Sequence, residues 1–489
     1  MKKKRVILLM VDTLMDETLQ QAISKGEAPT IKLLMEHGTY IPDVVSSFPT
    51  MSVNIDSTLI TGLYADKHRI PGLCWYDTNK NKVINYGTGV KEIMKYGLGH
   101  VLNNLYGHLN NRHICTKTTT IHEQLDEKKI LTASLNSFIY RGNYLQRLKF
   151  PIWLANGFQF EEQINISAPY YFSLGSMKKI KDENNLNWRF FVGDNKNVVR
   201  ELQYLIKNDL LPIFTVAYFQ DLDMKIHKYG PAYTKGVKKV DKRLKQLFHS
   251  FTSFEQALEE NIWIILSDNG QTPIGNSKHE HLIDLRNHYY KYKIAKVRKG
   301  GRIKPSDEVL ISVNQRMAYI YTLNKKICTD ELVSQVKDDR RIDLIVCNAG
   351  DGIKVYEGGK ETEFYFKRGG KLTDEYDQSW SIQGDESIVD ITLKNNHISY
   401  GSFPDALRRL EAAMNSHDGN FIIINARPGY EFIAEKTPHH LGGAAHGSLY
   451  KRESLVPLIF TGTNLQPPFK RIVDIKQWLM QIIEKELNL

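Results

Sequence analysis

Six short apolar runs punctuate the chain: Val6–Val11, Leu131–Leu135, Ile213–Phe219, Ile262–Leu266, Phe421–Ile424 and Leu455–Phe460. Each has the length and β-branched content of a strand buried on both faces of a parallel sheet. Stretches with helical spacing lie between them. In the clearest, Val237, Val240, Leu244, Leu247 and Phe248 recur every three or four residues and mark one face of an amphipathic helix. Strand–helix alternation on this scale predicts a doubly wound, mostly parallel α/β sheet flanked by helices.

Two stretches break the alternation. Tyr76–Thr118 is polar and rich in Asn, Gly and Tyr, and reads as an excursion from the core. Lys278–Pro404 is longer and carries a basic run of Lys291, Lys293, Lys296, Arg298, Lys299, Arg302 and Lys304, followed by short alternating segments such as Tyr356–Lys367. It is expected to form a smaller β-rich subdomain, residues 278–404, inserted into a core of residues 1–277 and 405–489. The basic run is read as a solvated face. No internal repeat or low-complexity linker is visible.

Composition adds limits. Apolar residues at 42% and charged residues at 25% are ordinary for a globular chain, which excludes collagen-like, mucin-like and disordered classes. A net charge of +10 over 489 residues does not by itself point to nucleic acid, but it suits a small anionic substrate. Cys74, Cys115, Cys328 and Cys347 form no C-x-x-C pair, so neither a disulfide scaffold nor a cysteine zinc knuckle is indicated. The opening MKKKRVILLMVD has a basic start, but its apolar run is shorter than a secretory h-region and ends at Asp12. Nothing has the length of a membrane span. The expectation is a cytoplasmic protein with no membrane or nucleic-acid partner.

The candidate chemistry sits after apolar runs or at helix starts, where open α/β sheets build sites. Asp12 follows the first run. In FPTMSVNIDSTLITG, Thr50 or Ser52 precedes a helical stretch ending at Gly62, and free backbone N–H groups at such a start favour an oxyanion. In QDLDMKIHKYGP, Asp223 and His227 are four apart, so one helical turn can aim both at one ion. Asp268 and Asn269 follow another run and precede a glycine. His446 lies in the small-residue loop HLGGAAHGS before the last run, with His439 and His440 ranked below it. Each signal also has a plain structural reading: an N-cap, a turn or an exposed polar pair.

Their order and company are more specific. The series strand–Asp, hydroxyl–helix–TG, D-x-x-x-H-x-x-G-P, S-D-x-G and H-G-S resembles the alkaline phosphatase superfamily, and within it the type I phosphodiesterase/nucleotide pyrophosphatase family. APTIKLLMEHG resembles that family's first helix, and Phe48–His68 its nucleophile motif with the trailing LY-x-x-x-H. The resemblance implies an alkaline-phosphatase-like core and two divalent ions, zinc and/or manganese. Asp223, His227 and His446 would hold one ion. Asp12, Asp268, Asn269 and the nucleophile would hold the other. Register with the T-G pair at Thr61 assigns the nucleophile to Ser52 rather than Thr50.

Three departures stand out. Asn269 replaces the family's histidine, which should move that site toward harder cations such as Mn²⁺, Mg²⁺ or Ca²⁺. Leu73 stands where the nucleotide pyrophosphatases have an asparagine that steadies the phosphate, and Arg69 replaces the usual glycine after the histidine. Arg141, in FIYRG, is a candidate substitute phosphate donor. The resemblance implies hydrolysis of a small phosphodiester or pyrophosphate through a phosphoserine intermediate. The alternatives are a phosphomonoesterase or mutase-like phosphoryl transfer, a sulfatase-like hydrolase without the sulfatase C-x-P-x-R motif, and a degenerate metal-binding member.

Overall fold

In a computed structural model, residues 3–149, 163–174 and 194–488 are described. Among them, seven strands form the central sheet in the order Thr39–Val45, Leu455–Phe460, Asn261–Leu266, Arg5–Val11, Phe214–Phe219, Thr132–Leu135 and Tyr171–Ser173. Arg5–Val11 is parallel to both neighbours. Only Leu455–Phe460 runs against the rest. The sheet is therefore mostly parallel, and the expectation of a parallel strand at Leu455–Phe460 is corrected to an antiparallel one.

The first strand shows why its sequence is a continuous apolar run. Val6, Leu8 and Met10 enter a core with the helices Ser52–Thr61 and Ile472–Leu487. Ile7, Leu9 and Val11 enter the opposite core, with the helices Asp16–Ser24, Pro29–Glu36, Asn195–Lys207 and Thr234–Phe248. A strand covered on both faces has no polar face to alternate with. The helix Thr234–Phe248 buries Val237, Val240, Leu244, Leu247 and Phe248 as its spacing predicts.

A second sheet has nine strands, antiparallel at nearly every pairing. It begins at Val309–Asn314. It also contains Phe421–Ala426, which pairs antiparallel with Met317–Thr322 and Ile342–Ala349. Phe421–Ile424 was expected as a parallel strand of the core, so its placement is corrected. An apolar run buried on both sides reads the same in either sheet. The second sheet thus extends beyond residue 404. The basic residues Lys291, Lys293, Lys296, Arg298, Lys299, Arg302 and Lys304 are all exposed. No helix among the described residues is long and apolar enough to cross a membrane.

Candidate active site and metal centre

The candidate residues follow three adjacent strands of the central sheet. Asp12 directly follows Arg5–Val11, and its N–H donates to Phe219 O at 3.0 Å. Asp268 and Asn269 follow Asn261–Leu266. Asp223 starts the helix Asp223–Tyr229 beyond Phe214–Phe219, and His227 lies one turn further on. Neighbouring parallel strands that end at one sheet edge bring these segments together.

Asp223, His227 and His446 present ligand atoms that all lie within 4.8 Å of one another. His227 Nε2 is 3.3 Å and His446 Nε2 is 4.0 Å from Asp223 Oδ1. The other ring nitrogens are tied to main chain: His227 Nδ1 to Ala444 O at 2.8 Å, and His446 Nδ1 to Thr50 O. Each Nδ1 then carries the proton, because a carbonyl only accepts. Two Nε2 lone pairs, that of His446 also reached by Gln315 Nε2 at 3.2 Å, and a carboxylate oxygen therefore converge, an arrangement that suits a cation among them. Second-nitrogen bonds of this kind orient imidazoles that bind metals. Gly443 permits the loop to cross here, since a Cβ on it would lie 1.9 Å from His227 O.

The electrostatics agree with that donor set. Burial pushes His446 down to about 4, with His227 adding to the shift. His227 is also lowered, by burial first. Both are neutral at pH 7. Burial works against the Asp223 carboxylate, but the adjoining imidazoles and the Thr13 hydroxyl hold it below its ordinary value.

The second group is oxygen-rich. Asp12 is pushed well above the carboxylate range by burial and by the charges of Asp268 and Asp223. Asp268 is raised by burial, against hydrogen bonds from Thr13, Ser52 and Asn269. Tyr218 Oη donates to Asp268 Oδ2 at 3.2 Å. Asn269 donates through Nδ2 to Gly270 O at 3.1 Å and Thr13 Oγ1 at 3.3 Å. Its Oδ1, fully buried, has no hydrogen-bond partner among the described residues. A bare buried amide oxygen beside two carboxylates fits a cation ligand and is costly otherwise.

Ser52 is the first residue of the helix Ser52–Thr61, and Met51 is the N-cap. The serine hydroxyl is not spent on capping; it acts on Asp268, lowering that carboxyl's pKa against burial. Thr50 is fully buried, with Oγ1 directed at Ser448 O at 3.1 Å and accepting from Gly447 N at 2.8 Å. That engagement favours Ser52 over Thr50 as the available hydroxyl. His68, of the LY-x-x-x-H segment, accepts from Ile70 N at 3.1 Å and meets Thr58 Oγ1 at 3.1 Å, which ties the turn to the Ser52 helix.

Arg141 does not supply a phosphate donor. Its guanidinium is bonded to Glu123 through Nε and Nη2, to Ile114 O and Cys115 O through Nη1, and to Thr118 O. The expectation is corrected: all five N–H donors are committed to a structural clamp.

Sequence reasoning missed Thr13, Gln271 and Gln315 here, and ranked His440 below His446. Thr13 Oγ1 lies 2.9 Å from Asp223 Oδ1 and 3.1 Å from Asp12 Oδ1, and its N–H donates to Asp268 Oδ1 at 3.1 Å. Gln271 Nε2 donates to Asp223 Oδ1 at 2.6 Å. Gln315, from the second sheet's first hairpin, accepts from His446 N at 3.0 Å and has Nε2 3.2 Å from His446 Nε2. His440 stacks on His227 with ring centroids 4.2 Å apart. Burial opposes its protonation, but its Glu431 partner at 2.7 Å prevails and raises its pKa. Thr13 and Gln271 adjoin the quoted motifs, so a search of flanking polar residues finds them. Gln315 has no local signal.

The family model for type I phosphodiesterase/nucleotide pyrophosphatase matches residues 6–448. The chain belongs to that family. No curated protein sequence matches it significantly. Among solved structures, murine ectonucleotide pyrophosphatase/phosphodiesterase 5 is 14% identical, with a TM-score of 0.58 over 98% of this chain and 95% of that chain. An inactive threonine-to-alanine variant of the murine protein, in complex with AMP, gives the same identity, TM-score and coverage. The human counterpart is 15% identical, with a TM-score of 0.56 over 98% of this chain and 95% of that chain. At these identities the likeness establishes the alkaline-phosphatase-like fold. Family membership supports a hydrolase of the nucleotide pyrophosphatase/phosphodiesterase type.

Proposed function

We propose that this protein is a metal-dependent hydrolase of phosphodiester or pyrophosphate bonds in small nucleotide-like substrates, acting through a covalent intermediate on Ser52. The observation that carries the reading is the convergence of Asp223, His227 and His446 within 4.8 Å. The donor set fits two divalent ions: Asp223, His227 and His446 would hold one, and Asp12, Asp268, Asn269 and Ser52 the other. Imidazole suits zinc at the first site, and oxygen donors suit manganese or a harder ion at the second. When bound, the ions supply charge neutralisation at the phosphoryl oxygens and lower the pKa of the serine hydroxyl.

The chain's own groups perform the rest. Ser52 Oγ, at a helix N-terminus whose N–H groups favour negative charge, attacks phosphorus in line with the leaving oxygen. The Oγ–P bond forms and the bond to the leaving group breaks. Asp268, on whose carboxyl the Ser52 hydroxyl acts, takes the proton. Water then cleaves the Oγ–P bond and frees the serine. The AMP complex of the murine relative supports a nucleotide-like phosphate as the substrate class. The four unpaired cysteines support a reducing, cytoplasmic setting, which cell fractionation checks.

The test is a chromogenic panel: p-nitrophenyl thymidine monophosphate, bis-p-nitrophenyl phosphate, p-nitrophenyl phosphate and p-nitrophenyl sulfate, each before and after chelation. The diesters should turn over fastest, with activity lost on chelation and restored by Zn²⁺ plus Mn²⁺. Preference for the monoester or sulfate, or activity indifferent to chelation, refutes the reading.

A further inference from the structure

Asp56 has no part in the assignments above, yet it lies among them. It is one turn beyond Ser52 on the helix Ser52–Thr61. Residues four apart share a helix face, and helical side chains lean toward the N-terminus, so its carboxyl lies over the turn that bears Ser52. It is 2% exposed, and neither Oδ atom has a hydrogen-bond partner among the described residues. Burial and the nearby Asp268 charge push its pKa well up, and Asp12 and Tyr218 also feel its charge. A structural buried carboxyl is normally satisfied by N–H groups, hydroxyls or a basic partner.

The second bare oxygen is Asn269 Oδ1, at the position where the resemblance leads one to expect an imidazole. Two residues with unsatisfied buried oxygens therefore adjoin Asp268: Asn269, whose N–H donates to Asp268 Oδ1 at 2.8 Å, and Asp56, close enough for the Asp268 charge to act on it and for its own charge to act on Asp12. No cationic side chain is hydrogen-bonded to Asp12, Asp56 or Asp268 among the described residues.

We propose that Asp56 is a ligand of the ion assigned to Asp12, Asp268, Asn269 and Ser52, making good the missing histidine with a carboxylate. The inference rests on the two-ion reading. Exchanging a neutral nitrogen donor for an anionic oxygen makes the set all-oxygen, so it selects Mn²⁺, Mg²⁺ or Ca²⁺ over Zn²⁺.

The test reads metal binding rather than turnover. The whole protein is stripped, reloaded with one equivalent of Zn²⁺ and then titrated with Mn²⁺, followed by electron paramagnetic resonance, with Zn²⁺ content measured by mass spectrometry. Wild type should bind one Zn²⁺ and one Mn²⁺. Asp56→Asn should weaken Mn²⁺ by more than about 10-fold, as loss of a metal-site partner does, with Zn²⁺ retained. Unchanged Mn²⁺ affinity in Asp56→Asn overturns the inference and leaves the two-ion reading standing. A wild type that binds a single ion overturns the two-ion reading itself. Should Asp56→Asn not fold, Mn²⁺-soaked wild-type crystals decide by anomalous scattering. The ion should lie about 2.0–2.6 Å from an Asp56 oxygen, the range of hard-cation ligands; a peak held by the other residues beyond its reach refutes the ligand.

Discussion

Thr13→Val is the sharpest perturbation of the framework between the two groups of ligands. Thr13 is fully buried with a φ of 58°, a left-handed conformation that costs a β-branched residue roughly 1–2 kcal/mol. The fold keeps it there while its hydroxyl reaches Asp223 Oδ1 at 2.9 Å and Asp12 Oδ1 at 3.1 Å, and accepts from Asn269 Nδ2 at 3.3 Å. Valine keeps the shape and the strain but removes the hydroxyl. A hydrogen bond to a charged group contributes about 1.5–3 kcal/mol, and the variant should lose stability in that range. Released from the hydroxyl, Asp223 and Asn269 lose their common reference point. Divalent-ion affinity should fall about 10–100-fold, as for other groups that orient metal ligands. Thr13→Ser keeps the hydroxyl and should stay within about 1 kcal/mol of wild type, with metal affinity preserved. Calorimetric titration with Zn²⁺ and Mn²⁺, paired with denaturant unfolding, reads both quantities. A Thr13→Val protein that binds both ions as wild type does would refute the bridging role.

Other outcomes follow from the same geometry. Ser52→Ala should abolish diesterase turnover with little change in melting temperature, because Ser52 is not the helix cap; Thr50→Ala should instead lower stability by about 1–3 kcal/mol through its buried partners and keep a covalent-intermediate burst. Arg141→Ala should lower melting temperature without raising KM, since its donors hold Glu123 and main-chain carbonyls. His68 is pushed down to about 3 by burial, so it takes up protons in the unfolded chain before the folded one as pH falls from 6.5. Its contribution to stability is therefore present above pH 6.5 and lost as pH drops toward 3. Where folding remains reversible, His68→Gln should reduce the slope of stability against pH between 5 and 6.5 by up to about 1.4 kcal/mol per pH unit.

The sequence reveals most where local pattern and tertiary environment coincide. Val6–Val11 is legible because a strand covered on both faces must be apolar throughout, and Asp12 and Asp268 because strand ends carry the site. Asp223 and His227 are legible through helical spacing, and their meeting with His446 only through the family resemblance, because it depends on a loop passing over the helix at Gly443. The partners of Phe421–Ala426 were not legible, because parallel and antiparallel burial leave the same apolar signature. Arg141 misled because an arginine that clamps carbonyls and one that binds phosphate look alike in one dimension. Gln315 and Asp56 carry no motif: the first reaches His446 from another sheet, and the second stands out only once its oxygens are seen to lack partners.

The central claim is that Ser52 carries the transferred phosphoryl group. Acid quenching during turnover of a radiolabelled nucleotide p-nitrophenyl ester, followed by peptide mapping, tests it most directly. The account predicts label on the peptide containing Ser52, released as the nucleotide, and none in Ser52→Ala. Label on Thr50, or steady turnover with no enzyme-bound label, would contradict it.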